Sequence, residues 1–480
     1  DRPWTMLIGG KMVEAVDGSV YDTMNPATGE TLARVPLAQK EDVDRAVAAA
    51  LEAFDGWRRK SVPERAGYVR EFIAVLKEHA EDLALMDSIN SGNPIRNMIR
   101  DVDLAVEHLQ YQCGAAMELK GSVIPATAGN WHLTRREPYG VVGRIIAFNH
   151  PILFAASKLG APILAGNTLV LKVPDQTPLA PLWMANLIRD VFPPGVVNII
   201  SGTGPVTGDA LVRHPRVKRL SLIGSVETGR RIQRAAAETG IKYVSLELGG
   251  KNPMIVYPDA DLEKAVEGAV TGMNFTWQGQ SCGSTSRLFL HRDIHDAFVE
   301  RLKERVERIR LGNPLDPDTE MGCVVSEAQY EKVMRYIRLG REQGARCVAG
   351  GDAPEDAALA AGYFVRPTIF TNVTMDMSIA REEIFGPVLS VLCWEDEEEV
   401  IRQANSVPYG LTASVWTRDL NTALRAAEKL EAGFVWINGS SRHFAGVPFS
   451  GQKASGVDAE EGIEELYSYT QNKSVNILLD

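Results

Sequence analysis

Apolar positions recur at helical spacing in some stretches of the chain and run together in others, and the two textures alternate. Residues 40–54 place Val43, Val47, Ala50, Leu51 and Phe54 on one helical face. Residues 63–89 read as one longer helix. It opens at Pro63, which a first turn tolerates, and stops before Ser91-Gly92-Asn93-Pro94. A third helical pattern covers 95–118. Short β-branched or apolar runs then appear at Val141–Phe148, Thr168–Val173, Val196–Ile200, Arg219–Ile223 and Tyr243–Leu246. Helical stretches between such runs predict parallel strands buried on both faces, hence a doubly wound α/β domain.

After Gly249-Gly250 a second series begins, with strands expected at Met254–Tyr257, Leu288–His291, Arg346–Val348, Val388–Trp394, Thr412–Trp416 and Phe434–Ile437. Helices are expected near 294–310, 326–343, 397–405 and 420–430. No low-complexity linker and no solenoid repeat interrupts the pattern. The final segment, Tyr467–Leu479, is β-like with no strand left for it in this series. That predicts pairing with a neighbouring molecule, the alternative being an edge position in its own sheet.

Composition narrows the field. An apolar share of 45% and a charged share of 24% in 480 residues exclude a largely disordered chain. A chain this long needs no disulfide or metal to fold. The formal charge, 51 − 62 = −11, excludes a generally basic nucleic-acid binder. Five scattered cysteines, none in a CxxC, fit neither a disulfide framework nor a zinc site. The opening DRPWTMLIGGKMVEA lacks a signal-peptide profile, and the longest uncharged stretch, 268–286, is too polar to span a membrane. A cytoplasmic protein is expected.

Four cysteines sit in helical or strand patterns and read as buried small hydrophobes. Cys282 lies instead in a polar, small-residue segment, Phe275-Thr-Trp-Gln-Gly-Gln-Ser-Cys-Gly-Ser-Thr-Ser-Arg287. It is a nucleophile candidate or one more packing residue. Glu247, between Leu246 and Leu248 at a strand end, is a general base or a salt-bridge partner of Lys251. Asn149, also at a strand end, is an oxyanion donor or an ordinary helix cap. Gly202-Thr-Gly204-Pro-Val-Thr-Gly208 is a GxGxxxG after a strand, and Gly224-Ser225 opens a helix that can receive a phosphate. Lys172 and Asp175 end another strand, where a carboxylate suits ribose hydroxyls. Tight turns are the alternative for each glycine cluster. His291 and His295 have no accompanying carboxylate ligands, so no metal is expected.

Taken together these pieces are more specific than any one of them. In order they are Asn149, Leu171-Lys172 with Asp175, Gly224-Ser225, Glu247-Leu-Gly-Gly-Lys251, Gly279-Gln-Ser-Cys282, Glu382-Glu-Ile-Phe-Gly-Pro387 and Asn438-Gly439. The set resembles the aldehyde dehydrogenase superfamily, in its NAD(P)+-dependent hydrolytic branch. The resemblance runs from Ile8-Gly-Gly-Lys11 and Asn25-Pro-Ala-Thr-Gly-Glu30 to Tyr469-Thr-Gln-Asn-Lys473. It implies an α/β fold: a Rossmann-like doubly wound cofactor domain (1–118 and 140–249), a second α/β catalytic domain (250–440) and a small β oligomerisation arm (119–139 and 458–480), with 441–457 as a linking segment. It implies Cys282 as nucleophile, Glu247 as base, and Asn149 with the Cys282 N–H as oxyanion hole. Lys172 and Asp175 would take the adenosine ribose, Gly204 and Gly208 the adenine side, and Ser225 the pyrophosphate. Glu383 and Phe385 would meet the nicotinamide ribose and ring. Ile146, Phe148, Gly224, Thr228 and Leu248 complete the implied cofactor set.

The implied reaction is aldehyde oxidation through a Cys282 thiohemiacetal and thioester, the latter hydrolysed by water that Glu247 activates. A homodimer or homotetramer acting on a small aldehyde, without nucleic acid or membrane, is implied with it. A cofactor-independent thiol esterase and a non-catalytic binding protein are the competing readings. Asp175 stands where the family usually has Glu. A carboxylate there still repels a 2′-phosphate, so NAD is expected and NADP is the alternative. The spacing 282 − 247 = 35 is one more than in many members, and the extra residue is assigned to 261–275. Many relatives read Trp-Asn-Phe in place of Phe148-Asn149-His150 and have Trp at the position of Ser157. That argues against a full aromatic cage for a quaternary ammonium, although Phe148, Trp277, Phe444 and Phe449 could supply part of one. His150, Ser157, Trp277, His443 and Phe449 are the pocket candidates. Arg442 beside His443 is either a contact for a polar or anionic tail or a surface salt bridge.

Overall fold

The computed structural model describes residues 3–479. Two large sheets organise it. In the first, five strands run parallel in the spatial order Val197–Ile200, Thr168–Lys172, Val141–Ile145, Val217–Ile223 and Tyr243–Glu247. Met6–Ile8 and Lys11–Val13 extend one edge antiparallel, and Gly456–Val457 closes the other beside Glu247. The apolar runs form strands because helices cover both faces. Thr168–Lys172, for instance, is buried at every residue. The second sheet has seven strands in the order 346–349, 368–371, 388–394, 287–291, 253–256, 412–416 and 434–437, parallel except at its first pair. In open sheets of this kind ligands bind beyond the carboxyl ends of the strands. Asn149, Lys172, Gly204, Ser225, Glu247 and Leu248 all follow such ends in the first sheet.

Two expectations need correcting. The pattern over 63–89 is two helices, Val62–Glu78 and Ala80–Ser91, joined at His79. The His79 N–H donates to Val75 O while its own carbonyl accepts from Leu83, so one residue closes one helix and opens the next. Apolar spacing cannot register a one-residue junction of that kind. The final strand does not need a neighbouring molecule for pairing: it takes the edge position in its own sheet that was the alternative reading. Thr470–Ile477 pairs antiparallel along its whole length with Trp131–Pro138, and Val123–Ile124 adds a third strand beyond that. A partner more than 300 residues upstream leaves no local trace in the sequence. The outer edge of Thr470–Ile477 has no strand partner among the described residues.

Buried charge holds the C-terminal segment against the first sheet. Arg144, in the central strand and fully buried, bonds the Glu460 carboxylate and the Tyr469 hydroxyl, and its guanidinium lies 3.6 Å from Glu465. Lys158 is the single charge in the otherwise apolar helix Pro151–Leu164. It sits 2.8 Å from Glu460 and 3.8 Å from Glu465. Arg219 is held between the Tyr243 and Tyr469 rings, 4.6 and 4.5 Å from their centroids, and donates to Ser468 O at 3.1 Å. Removing one cation from such a cluster leaves a buried anion short of compensation. Arg144→Met is therefore expected to cost about 3–5 kcal/mol of stability, read from urea unfolding midpoints. A loss below about 1 kcal/mol would show the cluster to be energetically neutral.

Candidate active site

Cys282 lies in the loop between a short turn, Phe275–Trp277, and the strand Arg287–His291. Asn274, Gln278 and Gly279 take left-handed φ values of 55°, 53° and 67°, which fold the loop back on itself. At Gly279 a side chain would overlap the carbonyl of Gly386, so only glycine fits. Asn252 fixes the other side of the loop. Its amide donates to Cys282 O at 2.7 Å and Ser284 O at 2.9 Å, and its oxygen accepts from Thr412 N at 3.0 Å. Leu411, Phe434, Trp436 and Phe449 form the apolar wall against which Cys282 packs. Burial pushes the Cys282 thiol up to about 12, and the carboxylates of Glu247, Glu383 and Glu461 add to the rise. The resting group is a neutral thiol.

Glu247 ends its strand beneath this loop. Burial holds its carboxyl well above the usual range, Glu460 adds to the rise, and Lys158 opposes it. Neither of its oxygens has a hydrogen-bond partner among the described residues. Lys251 Nζ is likewise unpaired, so the expected salt bridge between the two is absent. Asn149 is not a helix cap either. His150 occupies the cap position without capping through its side chain, and the Ile152 N–H is received by Asp87 from another helix at 2.8 Å. Asn149 is 4% exposed and its carbonyl accepts from Asn93 at 3.1 Å. Its side-chain amide is unengaged among the described residues. Its neighbours bracket it: Phe148 meets Phe385 edge-on at 5.6 Å, and His150 meets Trp277 at 5.4 Å.

The candidate cofactor residues line the carboxyl ends of the first sheet. Lys172 is buried and lies 3.6 Å from Asp175, whose side chain is 38% exposed. Tyr21 reaches the same corner, and its buried hydroxyl has no partner among the described residues. A side chain at Gly204 would meet nothing within 4 Å, which leaves bare backbone facing open space. Ser225 caps the helix Val226–Thr239, accepting from Thr228 N at 3.2 Å with the Thr228 hydroxyl 3.0 Å away. Leu248 packs so closely on Gly229 that any larger residue there would collide with it. Ile146 is buried, with its N–H 3.4 Å from Lys172 O. Across the cleft Glu383 accepts from Gly250 N at 3.0 Å, and Gly249 lies against its carboxylate too closely for a side chain. Phe385, at φ 57°, is held by Gln329, whose amide donates to its carbonyl at 2.6 Å.

The pocket candidates separate. His150, next to Asn149, meets Trp277, and His443 meets Phe449, which belongs to the wall on which Cys282 packs. Ser157 is buried and donates back to Leu153 O at 2.6 Å, so its hydroxyl is spent inside its helix. Cys113 and Cys323 are buried as expected, but Cys347 is half-buried and Cys393 is exposed, because it faces outward at the end of its strand. Sequence reasoning missed Asn252, Lys158, Asp101, Glu460, Glu461 and Glu465. Lys158 alone left a signal, as the one charge in an apolar helix.

Comparison with known proteins places these residues in context. The sequence profile described as Aldehyde dehydrogenase family matches residues 12–475. Aldehyde dehydrogenase tropH of Talaromyces stipitatus is 49% identical over 481 residues, covering 99% of this chain and 93% of the relative. The NAD+ complex of an aldehyde dehydrogenase from Bacillus cereus superimposes with a TM-score of 0.97 at 42% identity, covering 100% of this chain and 97% of that one. Betaine aldehyde dehydrogenase (betB) from Staphylococcus aureus, in complex with NAD+, gives 0.96 at 36% identity, covering 99% and 95%.

A thiol held near 12 has little thiolate at neutral pH. In the cofactor-free protein, iodoacetamide at pH 7.5 is expected to modify exposed Cys393 before Cys282, as read by peptide mass mapping. The Cys282 rate should climb about tenfold per pH unit through pH 9. A plateau below pH 9 would contradict this environment for the thiol.

Proposed function

The chain belongs to the aldehyde dehydrogenase family, and we propose that it oxidises an aldehyde to the carboxylic acid with NAD, using Cys282 as nucleophile and Glu247 as base. The observation that carries the assignment of roles is the Glu247 carboxylate. It is buried, unpaired among the described residues, and close enough to raise the Cys282 thiol. An unpaired buried carboxylate costs stability, so it is retained for chemistry rather than for packing.

The residues at the strand ends fit a dinucleotide. Lys172 and Asp175 offer a donor and a partly exposed acceptor for ribose hydroxyls. Bare backbone at Gly204 leaves room for a flat base, and the hydroxyl-capped helix end at Ser225 suits a diphosphate. Glu383 and Phe385 are fixed opposite. When bound, NAD supplies the acceptor for the hydride lost by the aldehyde carbon. The Asp175 carboxylate disfavours an added 2′-phosphate, so NAD is the preferred form over NADP.

The chain's own residues do the rest. Glu247 takes the proton from the Cys282 thiol, and its raised pKa narrows the gap it must bridge. Cys282 Sγ bonds to the aldehyde carbon, while the Asn149 amide and the Cys282 N–H meet the oxygen on which charge collects. After oxidation the carbon is a Cys282 thioester. Glu247 releases the first proton to solvent and accepts another from the water that attacks the thioester; the acid leaves, and that second proton passes to the departing Cys282 sulfur, restoring the thiol. The exposed apolar side chains of Val123, Trp131 and Leu478 on the three-stranded sheet, together with the free outer edge of its last strand, support assembly into a homodimer or homotetramer through that sheet.

An aldehyde panel run with NAD and with NADP tests the reading, with NADH formation expected on at least one aldehyde and a lower KM for NAD. No reduction of either cofactor across the panel would overturn it. Cys282→Ala should abolish turnover. Glu247→Gln should slow steady-state turnover by about 100-fold or more and accumulate an acyl adduct on Cys282, seen by intact mass. Because Glu247 works as the anion, kcat should rise with pH through its elevated pKa. A flat profile between pH 6 and 9 would remove it as the base.

A further inference from the structure

Two histidine–carboxylate pairs lie near the candidate site, one beside the wall on which Cys282 packs and one beside Asn149. His443, in the loop after the strand Phe434–Ile437, points Nδ1 at both oxygens of Glu461, at 3.1 and 3.0 Å. Its ring lies 4.7 Å from Phe449 and stacks on Phe434 at 6.0 Å with a 22° tilt. Those two rings belong to the wall against which Cys282 packs. In the other pair His150, next to Asn149, points Nδ1 at Asp101 at 2.8 Å, with its ring beside Trp277 and Phe154. In each pair the carboxylate engages Nδ1, which turns Nε2 away from it. Neither Nε2 has a hydrogen-bond partner among the described residues.

The charge state of His443 follows from the groups around it. Burial pulls its pKa down, but Glu461 more than offsets this and holds it above the ordinary value, with Lys158 opposing. His108, on the helix Ile95–Ala115, lies in the same field and is pulled down to about 4 by burial, so it is neutral. The Glu461 carboxylate at Nδ1 favours the protonated ring, in which Nε2 carries a donor N–H. Arg442, the preceding residue, is exposed, lies 5.1 Å over Phe444 and forms no ion pair among the described residues. The salt-bridge alternative for it is absent. A cationic substrate tail would meet these two positive groups.

Building on the aldehyde-oxidising reading above, we propose that His443, positioned by Glu461, makes this pocket select flat, unsaturated or aromatic aldehydes whose far end carries an anionic or hydrogen-bond-accepting oxygen. Aromatic walls hold the flat framework, the His443 Nε2–H meets the oxygen, and Arg442 adds positive charge at the mouth. Glu461 is a positioning residue: it fixes the ring and its proton and does not touch the substrate.

The test measures kcat and KM with NAD for benzaldehyde, 4-hydroxybenzaldehyde, 4-carboxybenzaldehyde and 4-(trimethylammonio)benzaldehyde, on the wild type, His443→Phe, His443→Gln and Glu461→Gln. The wild type should favour one or both oxygen-bearing aldehydes over benzaldehyde by about tenfold or more in kcat/KM, and disfavour the ammonium compound. His443→Phe should collapse that ratio toward one, mainly through KM. His443→Gln, which keeps a donor, should restore part of it, a rescue that a purely structural role would not give. Glu461→Gln should reduce the ratio most at alkaline pH, where the histidine loses its proton. A ratio unchanged in His443→Phe, or a wild-type preference for the ammonium aldehyde, overturns the proposal. Calorimetric binding of 4-hydroxybenzamide against benzamide separates the two readings. If no aldehyde is oxidised but the hydroxyl still tightens binding in the wild type and not in His443→Phe, the reaction assignment fails and the pocket assignment stands. If binding shows no such difference, the pocket assignment fails as well.

Discussion

The cost of burying an unpaired carboxylate beside a thiol governs the surroundings of Glu247. Such a group survives in a folded interior only when compensating charge is near but not in contact. Lys158 supplies that charge, and Lys158 in turn is held by Glu460 and Glu465, which Arg144 balances from the central strand. Each ion is placed by the next. The cluster draws on the first sheet, the apolar helix after Asn149 and the last twenty or so residues of the chain. The C-terminal segment therefore does more than finish the fold, because three of its glutamates, Glu460, Glu461 and Glu465, set the field in which the proposed base titrates.

The two sheets contribute different halves of the site, and backbone contacts fix their register. Glu247 comes from the last parallel strand of the first sheet, beside Gly456–Val457. The Cys282 loop is tied to the second through Asn252, whose amide spans the loop and the strand Thr412–Trp416. Ser455 closes the seam, accepting from Leu248 N through its carbonyl while its hydroxyl bonds Gly249 O and Gly410 N. The distance between thiol and carboxylate is thereby set by main-chain packing and leaves little to side-chain flexibility. Both groups can stay unpaired because their frame is otherwise saturated with hydrogen bonds.

Much of this was legible in the sequence, and the rest was hidden for identifiable reasons. The parallel strands announced themselves because burial on both faces leaves continuous apolar runs. Glu247 and Asn149 stood out because polar groups at apolar strand ends have no packing excuse, and Cys282 because a thiol in a polar, small-residue segment has no core to pack into. Local sequence could not separate an oxyanion donor from a helix cap at Asn149, since the deciding fact is that Asp87, 65 residues before Ile152, receives that helix's N–H. The His79 junction was invisible because apolar spacing continues across it. The partner of the last strand, the Asp101–His150 pair and the Glu461–His443 pair are contacts between distant segments, and periodicity carries no information about them. Lys158 is the one missed residue that a stricter reading could have found, as a lone charge in a helix with no polar face.

The glycine at 279 has a wider consequence. Its backbone lies directly against the carbonyl of Gly386, and Gly249 lies as tightly against the Glu383 carboxylate, so the Cys282 loop, the segment 383–386 and the end of the first sheet are joined through one main-chain contact and one side chain that only glycine leaves room for. Pieces packed this closely act as one rigid part, and a side chain added at either glycine would push its neighbour out of place. The loop around His443, by contrast, is partly exposed and makes its contacts through side chains. Variation across related sequences can accumulate there without disturbing the rigid part. Drift in substrate range and constancy of reaction are thus assigned to physically separate pieces of one cleft.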